Sequence, residues 1–293
     1  MWGVVPVYWP LLEPSGAVEI LAHRMVWSLV VVAVLVGVGA RRSRTPLTGR
    51  TGRFGFLYRR GVPALLTAAA AVVTVNWGVY IWAVNNDHVV DASLGYFVNP
   101  LVSVLLGVAL LGERLRPLQW VAVGVATAGV VELTAAAGTV PWIALVLAVS
   151  FGTYGLLKKL AAAPAVEAVA VETAVLFLPA LAWLIGFAAT GRATFGTLGP
   201  GHAALLASTG VVTALPLLLF GAAATRIPLS TLGVLQYLAP TLQFLAGVIV
   251  FGESLSPARL AGFAVIWAAL ALFTADALRS RPRRHAGPAA AAA

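Results

Sequence analysis

The chain has 293 residues, of which 60% are apolar and only 10% charged, with a net charge of +9 and no cysteine. So little charge cannot cover a water-soluble globule, where about a quarter of residues is usual, so a multi-span membrane protein is the leading class. The absence of cysteine excludes disulfides and thiolate metal sites, and the basic residues sit in short loops between apolar segments, which speaks for topology signals and against nucleic acid.

In chain order, residues 1–12 (MWGVVPVYWPLL) read as the end of a first membrane helix that is cut short, because twelve residues rise only about 18 Å. Further helices are expected over 18–40, 61–84, 92–112, 118–137, 141–157, 167–189, 202–224, 231–251 and 259–277. The loop 41–60 carries seven Arg and no acid. Residues 278–293 read as a disordered basic and Ala-rich cytoplasmic tail.

One stretch occurs twice. PLVSVLLGVALLGERLRP at 100–117 and PTLQFLAGVIVFGESLSP at 240–257 agree, at an offset of 140, at Pro100/Pro240, Gly107/Gly247, Gly112/Gly252, Glu113/Glu253 and Pro117/Pro257. Apolar bias does not readily produce those residues in register. The expected architecture is therefore an all-α membrane protein of ten helices in two five-helix repeats, 1–137 and 141–277. An odd number of helices per repeat makes the second repeat enter upside down. With loop 41–60 placed inside, sixteen of nineteen Lys and Arg fall on the inner side. Both termini are thus expected in the cytoplasm. Inverted repeats are a common build of secondary transporters, with the solute site between the halves.

Polar residues inside these helices are the candidates for that site, since intramembrane polar and charged groups are costly to keep. Glu19, His23 and Arg24 fall in the outer third. Asn76, Tyr80, Tyr96 and Asn99 fall at a similar level, with Asn76/Tyr80 and Glu19/His23 each spaced i,i+4 on one face. Glu172, Gln236 and Tyr237 form a second group near the inner side. The plainer readings are a buried ion pair for the charged set, helix–helix hydrogen bonds for the Asn residues, and packing or interface belt for the aromatics. Glu113 and Glu253 read as loop or hinge elements. No P-loop, HExxH or clear metal set is present, so no covalent chemistry and no metal or other cofactor is expected.

The stretches EILAHRMVWS (19–28), NWGVYIWAVNN (76–86), ASLGYFVNPLVSVLLG (92–107), LGERL (111–115) and ATRIPLSTLGVLQYLAPTLQF (224–244) resemble the RarD branch of the EamA-type permeases, in the drug/metabolite transporter superfamily. The likeness runs from Trp2 to Asp276. It implies two inverted EamA repeats, a bacterial cytoplasmic membrane, and export of small solutes, with a label of chloramphenicol sensitivity or resistance in some members. One departure is the first helix, complete in most members and starting near its middle here. The expected activity is secondary-active export of a small amphipathic metabolite or drug by alternating access. Any coupling proton is expected on a carboxylate such as Glu19 or Glu172. An uncoupled facilitator, a membrane-embedded enzyme and a scaffold are the alternatives. The expected partners are the solute and membrane lipid.

Overall fold

The computed structural model describes residues 2–43, 46–85, 89–137, 142–249 and 257–279. Glu253, His88, His285, Arg44 and most of the basic tail lie outside the described residues. The chain is all-helical, with no strand among the described residues. Its helices are α1 (Ala17–Ser43), α2 (Val62–Asn85), α3 (Val89–Leu111), α4 (Pro117–Ala137), α5 (Trp142–Ala161), α6 (Ala165–Ala189), α7 (Pro200–Ala224), α8 (Leu229–Leu235), α9 (Leu238–Ile249) and α10 (Pro257–Arg279). By length and composition, five of them (α1, α2, α5, α6 and α7) are long and apolar enough to cross a membrane, and α3, α4 and α10 carry shorter apolar stretches.

Two expected spans form differently. Residues 2–12 make two 3₁₀ turns, Trp2–Val7 and Trp9–Leu12, instead of an α-helix. Pro6 and Pro10 each lack the N–H that an α-helical turn would use. The span expected over 231–251 is broken into α8 and α9 at Gln236–Tyr237. The break lies four residues before Pro240, whose missing N–H would have met the Gln236 carbonyl. That carbonyl takes the Ala239 N–H instead (3.1 Å).

The bundle is packed on small residues and faces outward with large apolar ones. Ala22, Ala69, Ala70, Ala214 and Ala224 are buried, whereas Val34, Leu178, Trp183 and Ile185 are exposed. That distribution suits a lipid surround, where close backbone approach does the work that hydrophobic burial does in water. α1 packs on α6 and α7, α2 on α5 and α6, α3 on α5 and α8, α4 on α10, and α9 on the Trp2–Val7 turn. At the α1–α7 crossing a Cβ on Gly210 would run into the Trp27 backbone, and the Ser28 hydroxyl donates to the Gly210 carbonyl there (3.3 Å).

Polar contacts gather the loops at the two ends of the bundle. At one end Arg53 pairs with Glu167, Arg116 lies 3.9 Å from Asp276, and the Lys159 ammonium donates to the Ile227 carbonyl (2.7 Å). Glu113 belongs to the same end. Gly112 ends α3 with a φ of 65°, and the Glu113 N–H turns back to the Gly107 carbonyl (3.0 Å). The Glu113 carboxylate then accepts from Leu229 N–H (2.6 Å), Ser230 N–H (2.9 Å) and the Ser230 hydroxyl (2.7 Å). It caps α8, whose own N-cap, Pro228, has no acceptor on its side chain. Burial pushes this carboxyl up, but the hydrogen bonds from Ser230 and Leu229, with Lys159 nearby, hold it below the usual carboxylate range. At the other end Glu19 and Ser15 bind the loop between α6 and α7.

Candidate functional site

A cavity of about 280 Å³ opens in the middle of this bundle. The N-terminal turns give it Trp2 and Trp9, and α1 gives Arg24. Asn76, Trp77 and Tyr80 come from α2, Tyr96 and Asn99 from α3, and Gln236 from the turn after α8. Phe151 and Phe220 close it on the α5 and α7 side. Helical spacing explains the α2 and α3 contributions: Asn76/Tyr80 are i,i+4 and Tyr96/Asn99 i,i+3, so each pair shares a face. Gln236 reaches the cavity because the chain breaks there.

Arg24 is buried, 8% exposed. Its Nε–H donates to the Thr213 hydroxyl (2.9 Å), and its guanidinium carbon lies 4.7 Å from the Trp77 ring centroid and 5.0 Å from that of Trp9. The Asn76 amide donates to the Leu147 carbonyl (2.9 Å) and to the Ser150 hydroxyl (3.0 Å), tying α2 to α5. The Asn99 amide donates to Gln236 Oε1 (2.5 Å), and Gln236 Nε2 donates to the Ser103 hydroxyl (3.4 Å). Asn99 Oδ1 is buried and has no hydrogen-bond partner. The Tyr80 and Tyr96 rings meet edge to face at 5.8 Å. Among the described residues, no Asp or Glu lines the cavity. The arrangement offers π-faces, amide and phenol groups and one guanidinium, which together hold a solute without covalent chemistry.

Six of the ten residues singled out from the sequence thus meet in one cavity: Arg24, Asn76, Tyr80, Tyr96, Asn99 and Gln236. The other four lie elsewhere. The Glu19 carboxylate accepts from the Thr194 N–H (2.7 Å) and stands 4.0 Å from His23 Nε2. The His23 ring stacks on Phe195 at 4.8 Å, and Trp27 Nε1–H donates to its Nδ1 (3.3 Å). Glu172 is buried against Lys158 (2.6 Å), and the Tyr154 hydroxyl donates to it (3.0 Å). Tyr237 points toward α4 and α10, packing with Phe97, Ala126 and Ile266. Trp2, Trp9, Phe151, Phe220 and Thr213 belong to the site or support it and were not foreseen. Phe151 and Thr213 lie in helices with no local signal, while Trp2 and Trp9 precede Pro6 and Pro10 in the first twelve residues.

The EamA-like transporter family matches residues 1–135. A protein named RarD from Streptomyces exfoliatus is 56% identical over 293 residues, covering 100% of this chain and 90% of that protein. Protein RarD of Escherichia coli is 41% identical over 97% of this chain and 93% of its own length. A Pseudomonas aeruginosa relative, named chloramphenicol-sensitive protein RarD, is 33% identical over 96% and 93%. A crystal structure whose name states no function shares the fold at a TM-score of 0.69, with 19% identity over 95% of each chain.

Proposed function

The chain belongs to the EamA-like transporter family, with RarD proteins among its relatives, and from that premise we propose that the central cavity is the solute site of a secondary permease. Family and relatives make it a membrane transporter and not an enzyme. The permease exports small amphipathic metabolites or drugs by alternating access. The name of the Pseudomonas relative makes an amphenicol one solute to try.

The observation that carries the reading is that residues equivalent under the 140-residue offset face the same cavity. Tyr96 and Gln236 are one such pair, and Asn99 and Ala239 another. Helix contacts follow the same rule: α1 meets α6, α4 meets α10, and the α1–α7 contact is matched by α2–α6. A pair of inverted five-helix repeats around a central site has that signature. In this reading the end bearing Arg53, Arg59, Arg116 and Lys159 is cytoplasmic, as are both termini, in a bacterial inner membrane.

Glu172 and Glu19 remain the candidates for a coupling proton, each already held by its own partners. A second reading, an uncoupled facilitator, is favoured by a cavity wall that holds no carboxylate among the described residues. Reconstituted flux of a solute found by thermal-shift screening tests both. Amino acids, nucleosides, organic acids and amphenicols form the screen, and a ligand of the folded state raises the melting temperature with concentration. Flux that dies when the pH gradient is collapsed supports coupling. Flux that persists supports the facilitator. No flux of any binding solute sinks the permease reading of the cavity.

A further inference from the structure

Arg24 is a buried cation with no counter-ion among the described residues. Among the described residues, no carboxylate lies within ion-pair distance of it. Lys158, also buried, has Glu172 at 2.6 Å. The acid nearest in sequence, Glu19, is engaged by Thr194, Phe195 and His23. A guanidinium cannot shed its proton to escape the cost of burial. The Trp9 and Trp77 faces offset part of that cost, and Thr213 takes Nε–H. This leaves the Nη edge, with no partner among the described residues, on the cavity that Arg24 lines.

Resting on the reading of this cavity as the solute site, we infer that the solute is an organic monocarboxylate with an aromatic or apolar body, its carboxylate seated on the Nη edge of Arg24 between Trp9 and Trp77. The planar fork matches a carboxylate in a bidentate pair, and a single positive charge balances a monoanion. A phosphate dianion would leave one charge uncompensated among apolar walls. The body of the solute meets Phe151, Phe220, Tyr80 and Tyr96. Asn99 Oδ1, buried in the same wall without a donor, selects a solute with a second hydrogen-bond donor on that body.

The test uses the full chain in nanodiscs of neutral lipid and three probes that differ only in the head group. These are 4-hydroxyphenylacetate, its neutral amide and the cation tyramine, titrated by calorimetry and by tryptophan fluorescence. The acid is expected to bind about tenfold or more tighter than the amide, as a hydrogen-bonded charge pair predicts, and tyramine weakest. Arg24→Gln should bring the acid down to the affinity of the amide, and a cooperative thermal melt of the variant checks separately that it is folded. Arg24→Lys should keep the preference but lose about tenfold in affinity with the bidentate geometry. Equal affinity of acid and amide in the unaltered chain overturns the carboxylate inference and leaves the permease cavity standing. No saturable binding of any probe, together with no flux of any solute, overturns both. If the acid's advantage vanishes in phosphatidylglycerol nanodiscs, Arg24 serves a lipid headgroup and the inference fails.

Discussion

Removing the Glu113 carboxylate should loosen α8, and with it the Gln236 side of the cavity. The helix has seven residues, too few to persist without tertiary support, and its first two N–H groups bond to this one side chain. Losing a helix cap costs about 1 kcal/mol, and hydrogen bonds to a charged group about 1.5–3 kcal/mol each before screening. Because the end of the bundle is partly open to water, we expect about 2 kcal/mol for Glu113→Ala, and about half that for Glu113→Gln, which keeps one acceptor. For a chain of this size that is a fall of a few degrees in Tm. The sign with pH follows from the lowered carboxyl. The stabilisation is fully present above the unfolded carboxylate value of about 4.3 and is lost as pH falls through the lower folded value. The Tm gap between the native chain and Glu113→Gln should therefore be full at pH 7 and close in acid. Hydrogen exchange adds a local readout: amides 229–236 should exchange faster in Glu113→Ala, while those of α5 do not. An unchanged Tm with unchanged exchange over 229–236 would refute the capping argument.

Asn99→Ala should lower solute flux while membrane insertion and yield stay normal. Flux at the native level would remove that residue from the site. Lys158→Met strands the buried Glu172 charge and should cost about 3–5 kcal/mol, whereas Lys158→Met with Glu172→Gln should recover most of it. A double-mutant cycle on thermal stability in detergent checks this, and additive losses would contradict the pairing. Gly210→Val should push α1 off α7 at Trp27 and cost about 1–3 kcal/mol, read as a shorter half-life on heating. A half-life like that of the native chain would show that the crossing yields.

Long apolar runs made α1, α2, α5, α6 and α7 legible within a few residues at either end, because hydropathy and length leave few other structures for such segments. Spacing rules also held locally, so Glu19/His23 and Asn76/Tyr80 share faces as expected. They could not say which neighbouring helix each face meets. Arg24 follows His23 directly, yet about 100° of helical rotation sends one to the cavity and the other to Phe195. Lys158 lies just past the span expected over 141–157, yet α5 continues through it, and it stands four residues after Tyr154 on the face that meets Glu172. Arg53, read only as a topology signal, pairs with Glu167. Such pairings depend on helices distant in sequence, and no local pattern encodes them.

The two prolines that match at the 140-residue offset end in different structures. Pro100 lies inside an α3 that runs unbroken to Leu111, while Pro240 follows the break between α8 and α9. Both remove the same backbone donor, so the sequence permits either outcome and packing chooses. α3 is held against α5 and α8, whereas α9 rests on the short Trp2–Val7 turn. The consequence for the cavity is direct. The intact helix fixes Tyr96 and Asn99 on one face, and the broken one leaves Gln236 to accept from Asn99 at the cavity wall. On the proposed alternating access, such a contact has to be breakable. A break with one amide pair across it, beside a short α8 held at its start by one carboxylate, gives way more cheaply than two intact helices packed along their length.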